Sequence, residues 1–133
     1  MKFGIRIVVL LATAVAVLPS ANPAPAAAAG LPVVSTSAAA SHTCVVLPST
    51  GAECWGLNKF GELGNGKTAA TTVPVGVSGL SSGVQSIATG DKHTCAVTTS
   101  QNVRCWGDDF FGQLGDGQPP GGFSAVPVQV VGL

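Results

Sequence analysis

His42-Thr43-Cys44, followed after nine residues by Cys54-Trp55-Gly56 and then by Phe60-Gly61-Glu62-Leu63-Gly64-Asn65-Gly66, is written a second time in this chain. The second copy reads His93-Thr94-Cys95, Cys105-Trp106-Gly107 and Phe111-Gly112-Gln113-Leu114-Gly115-Asp116-Gly117, each piece displaced by 51 residues. Laying residues 33–66 on 84–117 gives 15 identities, far more than unrelated segments of that length would share. Farther on, Val73-Pro74-Val75 answers to Val126-Pro127-Val128, so the offset grows by two. The extra residues fall in Gln118 to Phe123, which marks that segment as a surface loop. The chain thus reads as two repeats, residues 30–83 and 84–133, the first with a degenerate start because Ala39 stands where the second has Gly90.

Each repeat offers four short β-rich runs separated by turn residues. They are Val33 to Ser37, Thr43 to Leu47, Ala52 to Trp55 and Val73 to Val77, then Val84 to Thr89, Thr94 to Thr98, Val103 to Trp106 and Val126 to Val131. Four strands per unit is the count of a propeller blade. Residues 48–51 and 99–102 supply the central hairpin turns, with Gly51 and Asn102 expected at positive φ.

The pattern HTC, CWG, FGxLGxG, VPV and GL resembles the repeats of the regulator of chromosome condensation, in its bacterial, secreted branch, over roughly residues 33–133. The resemblance implies an all-β fold: two four-stranded blades of a β-propeller, partial and not closed. Propellers of that family usually close with more blades than two, so the chain is expected to be part of a longer propeller or to associate head to tail with itself.

Behind an export signal, Cys44, Cys54, Cys95 and Cys105 are expected as two disulfides, and of the three connectivities the repeat favours 44–54 and 95–105. A hairpin centred on Ser49 sets Cys44 opposite Cys54, where Cα atoms approach to about 4.5 Å. Zinc would need a tetrahedron that three ligands per blade supply poorly. A His42–Cys44 nucleophilic dyad is weakened by its duplication as His93–Cys95, since an enzyme needs one such pair. Each His is expected to hydrogen-bond neighbouring backbone, and Trp55 and Trp106 to pack between blades with their indole N–H groups satisfied. No catalytic residue, metal ligand or cofactor site is assigned.

Composition agrees with turn-rich β structure: 9% charged residues, 18 Gly and 9 Pro in 133 residues, and no Tyr. Lys2 and Arg6 precede an apolar run from Ile7 to Leu18, stopped by Pro19 and Pro23, and small residues recur from Ala24 to Gly30; residues 1–29 read as a secretory signal peptide. A run of twelve residues is too short for the roughly 20 that span a bilayer, so no membrane attachment is expected once the signal is removed. Beyond it stand four basic side chains, Lys59, Lys67, Lys92 and Arg104, against six acidic ones. A balance of −2 without a basic cluster argues against nucleic acid as a partner.

Two motifs compete with this reading. Gly61 to Thr68 matches the phosphate-loop pattern G-x-x-x-x-G-K-[ST], yet that chemistry needs a following helix, and Thr71-Thr72-Val73-Pro74 cannot continue one. Asp108, Asp109 and Asp116 could suggest calcium, but they lack the register of a calcium loop and read as turn-forming side chains. The expectation is a secreted or cell-surface protein-binding module without catalysis. The alternative is an enzyme inhibitor like the β-lactamase-inhibiting propellers of the family, with Phe110 and Phe123, the loop aromatics without repeat counterparts, as the binding loop; a propeller-hosted hydrolase or lyase ranks below both.

Overall fold

The computed structural model describes residues 33–133; residues 1–29, expected as an export signal, lie outside the described residues. Eight strands run in chain order: β1 Ser35–Ala38, β2 His42–Val46, β3 Ala52–Gly56, β4 Thr71–Gly76, β5 Val84–Thr89, β6 His93–Thr98, β7 Val103–Asp108 and β8 Phe123–Gln129. They form two antiparallel four-stranded meanders, β1-β2-β3-β4 and β5-β6-β7-β8, called here blades one and two. The two blades stand side by side and do not close into a ring, as the repeat implied.

The pairing explains where strands depart from their apolar runs. Ser35 opposes Val46, so the residue opposite Val34 is Leu47, already turning; β1 starts two residues late for that reason. The outer strands start early, because Gly56 reaches Thr71, and Asp108 reaches Phe123. Phe123, expected in a loop, therefore opens β8.

The hairpin turns correct a second expectation. Positive φ falls on Thr50 (61°) and Gln101 (63°), one residue before Gly51 and Asn102. Thr50 N bonds to Leu47 O at 2.8 Å and Leu47 N to Gly51 O at 2.9 Å, a tight turn followed by a left-handed residue before the strand resumes. In such a three-residue loop the last loop position takes the left-handed conformation. The position after it is extended and has no use for glycine there. Gly51 is small for another reason: a Cβ would lie 2.6 Å from Ser81 O in the connection to blade two.

The register sets Cys44 opposite Cys54 and Cys95 opposite Cys105. Both pairs are disulfides with Cα atoms 4.1 Å apart, and no described cysteine is free. The apolar core lies between the blades: Cys44, Cys54, Val46, Leu63 and Val77 of the first half meet Val84, Ile87, Ala96 and Trp106 of the second. Alternation along β6 buries Thr94, Ala96 and Thr98 against blade one and leaves His93, Cys95 and Val97 half-buried on the other face.

Candidate functional site

Two arrangements merit description, the seam that fixes the blades and the loops displayed beside it. At the seam a single main-chain carbonyl collects two donors. Trp106 Nε1 donates to Glu62 O at 2.7 Å and the Thr94 hydroxyl donates to the same oxygen at 3.0 Å. The hydroxyl proton is thereby used, so His42 Nε2, 2.8 Å from Thr94 Oγ1, is the donor of that pair and carries the ring proton. His42 is 2% exposed, and among the described residues nothing hydrogen-bonds to its Nδ1. Burial pushes its pKa below the ordinary 6.5; Glu62 and Asp91 oppose the shift and His93 adds to it. His42 thus bonds a side chain of the next blade, where neighbouring backbone was expected. His93 lies against Gly90, in the space a Cβ would fill; Ala39 denies His42 that position.

Trp106, fully buried, interrupts the β7–β8 ladder between Cys105 and Gly107. A bulge of this kind aims a side chain out of the regular pleat. It lands on Gly64, whose φ is +65° and where a Cβ would sit 2.7 Å from Trp106 Nε1; only glycine meets both demands. Trp55, at the equivalent irregularity of blade one, is half-buried on the face turned away from blade two.

The loops after β3 and β7 are held by side-chain oxygens accepting backbone N–H groups. Asn58 Oδ1 accepts from Leu63 N at 2.9 Å, as Asp109 Oδ1 accepts from Leu114 N at 3.0 Å. Glu62 Oε2 accepts from Phe60 N and Gln113 Oε1 from Phe111 N, both at 2.8 Å. Asn65 and Asp116 receive Lys67 N and Gln118 N in the same way. Acid and amide exchange between copies while the bond stays, so the role is that of a backbone acceptor, and the calcium reading loses its ligands. The Gly61–Thr68 loop leads into strand β4, so the helix that a phosphate loop requires is replaced by a strand. The cysteines of the His-x-Cys motifs are oxidised and offer no thiolate to a metal or to a carbonyl carbon.

What the second loop displays is apolar. Phe110 N is held by Asp108 Oδ1 at 3.2 Å, and Phe110 and Phe111 point outward, 64% and 82% exposed, with rings edge to face at 4.9 Å. Phe123, 51% exposed, is paired to Asp108 in register, which puts all three rings at one end of blade two. Phe111 repeats Phe60, so the sequence alone does not single it out as a binding residue. The environments differ: Phe60 lies under the ammonium groups of Lys59 and Lys92, 5.5 and 5.3 Å from its centroid. Beside the phenylalanines a shallow cleft of about 300 Å³ is lined by Asp91, Lys92, His93, Asp108, Phe111 and Gln113. A larger one, about 590 Å³ along Ser41, Gly56, Leu57 and 70–72, has no titratable side chain in its lining.

The sequence profile of the regulator of chromosome condensation (RCC1) repeat matches residues 54–97, and a second profile of the same repeat matches 84–113. Protein RCC2 of Homo sapiens is 40% identical over 86 residues, 64% of this chain and 16% of that protein. The ultraviolet-B receptor UVR8 of Arabidopsis thaliana is 32% identical over 101 residues, covering 74% and 23%. The human E3 ubiquitin-protein ligase HERC2 is 32% identical over 97 residues, 70% of this chain and 2% of its own length. Among solved structures, Prp20p of Saccharomyces cerevisiae, studied for its binding to Gsp1p and histones, superposes with a TM-score of 0.67 at 22% identity, covering 78% of this chain and 25% of that one. Yeast RCC1 bound to Kap60 gives a TM-score of 0.68 at 23% identity over 78% and 24%. The chain therefore spans a quarter or less of each of these proteins.

Proposed function

Because the chain belongs to the RCC1 repeat family, we propose that it is an exported protein-binding propeller module with no catalysis of its own. The observation that carries this reading is the aromatic end of blade two. Three exposed phenylalanines in one place are costly to leave in water and are what a protein partner buries. Solved relatives of the same fold are described in complexes with, or binding to, Kap60, Gsp1p and histones, which supports a protein as the ligand class. Export is supported by two disulfides in an oxidising pairing and by the sequence of residues 1–29, the segment proposed as a signal; the repeats are proposed as 30–83 and 84–133.

An edge-to-face aromatic pair on a stitched loop also favours the inhibitor reading, since such a tip fits an enzyme cleft. One experiment serves both: the purified chain is immobilised beside its Phe110→Ala/Phe111→Ala variant and exposed to the secreted proteins of its own host and to serine β-lactamases. A partner retained by the wild type and lost by the variant supports binding through this end, and inhibition lost in parallel supports the second reading. Equal retention by both proteins removes the aromatic end from the binding surface.

A further inference from the structure

An asparagine side chain is lost as the amide when the main-chain nitrogen of the next residue attacks its carbonyl carbon, and a side chain on that next residue hinders the approach. Of the four asparagines, Asn22, Asn58, Asn65 and Asn102, only Asn65 precedes a glycine. Gly66 is exposed, and a Cβ there would meet nothing nearer than Val126 Cγ1 at 3.9 Å, so the approach is open. Asn65 Oδ1 accepts from Lys67 N at 3.1 Å, with Asn58 Nδ2 beyond it at 3.5 Å. Donors on that oxygen draw electrons from Cγ and make it the better electrophile.

A single contact stands against the reaction. Gly66 N donates to Ala125 O of β8 at 2.9 Å, across the seam, so blade two holds the proton of the attacking nitrogen. The amide must shed that proton to attack, and a carbonyl that accepts the hydrogen bond does not remove it. The second repeat shows what the reaction would leave behind. It has Asp116-Gly117 where the first has Asn65-Gly66, and both glycines take a φ of +78°. Asp116 Oδ1 accepts from Gln118 N at 3.0 Å, as Asn65 Oδ1 accepts from Lys67 N. The fold already carries, in one copy, the aspartate that deamidation of the other yields.

We infer that Asn65 is a site of spontaneous deamidation, gated by the contact between the blades. When the Gly66–Ala125 bond opens, the Gly66 nitrogen gives its proton to hydroxide and bonds to Asn65 Cγ. The Cγ–Nδ2 bond then breaks, and Nδ2 takes a proton from water and leaves as ammonia. One water molecule opens the resulting succinimide; addition at Cγ gives aspartate, addition at the main-chain carbonyl gives isoaspartate, and nothing is oxidised or reduced. The two products differ in what they do to the seam. Aspartate keeps both the backbone and the acceptor, as Asp116 does. Isoaspartate inserts a methylene into the main chain between Gly64, which lies against Trp106 and accepts from Ser78 N, and Gly66, which is tied to Ala125. Those anchors cannot all be met by the longer chain, so the isoaspartate form loosens the seam irreversibly. The reaction is independent of what the phenylalanines bind.

The full chain, purified from an oxidising host, is held at neutral pH in buffer and in urea above its unfolding midpoint, beside Trp106→Phe in buffer. Peptide mapping follows aspartate and isoaspartate at residue 65 with time. Both products are expected there, and the native chain is expected to form them at least about tenfold more slowly than the unfolded chain, the rate equivalent of one hydrogen bond that must open first. Trp106→Phe loses the indole bond to Glu62 O and should react at a rate between the two. Should Trp106→Phe fail to melt cooperatively, the wild type in urea below its midpoint replaces it, because denaturant promotes opening of the seam. An unfolded chain that keeps Asn65 intact, equal rates in the native and unfolded chains, earlier loss at Asn58 or Asn102, or a weakened seam that reacts no faster than the native one overturns the inference.

Discussion

The His42 ring donates from Nε2 and keeps an unused lone pair on Nδ1 inside the seam. A proton added there would be a buried charge without an acceptor, which is why burial depresses its pKa below 6.5. The sign follows from linkage. With the folded pKa depressed, nothing is lost above about pH 6.5, and as pH falls below it the unfolded chain takes up a proton that the folded chain refuses, so stability declines. The urea midpoint is expected to drop from about pH 7.5 to about pH 5.5, and to drop less in His42→Gln, which retains a donor and does not titrate. An equal drop in both would remove His42 from the acid response. The disulfides differ in access: Cys44 and Cys54 are 0% exposed, whereas Cys95 is half-buried on the open face. Partial reduction followed by alkylation should label Cys95 and Cys105 first, because exchange depends on the approach of the attacking thiolate. Without reductant, mass spectrometry should find no free thiol and peptides linked 44–54 and 95–105. At this scale the sequence was informative wherever an interaction stays within one repeat, as in the disulfides. The His42–Thr94 bond joins residues 52 apart across two blades, and no motif spacing within one unit signals it.

The hairpin of each blade turns on a non-glycine left-handed residue. Such a residue costs of order 1–3 kcal/mol, part of which glycine returns as chain entropy. Gln101, exposed, should therefore tolerate Gln101→Gly with a gain of about 0.5–1 kcal/mol, read as a higher urea midpoint. Thr50→Gly should gain nothing, because Thr50 Oγ1 accepts the Gly83 N–H at 2.8 Å and that bond would go. Equal effects at the two turns would contradict this account. Strand number and order were legible from apolar runs and turns, since period-two patterning is local. Strand ends were not, because they are fixed by the partner: β8 begins at Phe123 on account of Asp108, 15 positions earlier.

Across the whole molecule the core lies between two sheets, so neither blade buries its own faces alone. Each square ångström of apolar face left open forgoes about 25 cal/mol, against a total stability of about 5–15 kcal/mol for a small domain. In dilute solution the two-repeat segment by itself should melt below about 60 °C. A cooperative transition above that temperature would show that two blades suffice. The two-blade architecture was readable because the offset of 51 residues is unmistakable; the aromatic end was legible only in part, since Phe111 repeats Phe60 in sequence and only Phe60 lies beneath two ammonium groups. The seam itself has a bearing on how such a protein changes over generations. Its central acceptor is the carbonyl of residue 62, a main-chain atom that no single-base change can delete. Genetic drift can exchange Glu for Gln there, as positions 62 and 113 illustrate, provided the side chain still offers an oxygen to the amide two residues back. Successive units can diverge in their displayed loops while remaining mutually stackable, so a library varied at Phe110, Phe111 and Phe123 with the seam untouched is a natural starting material for new binders.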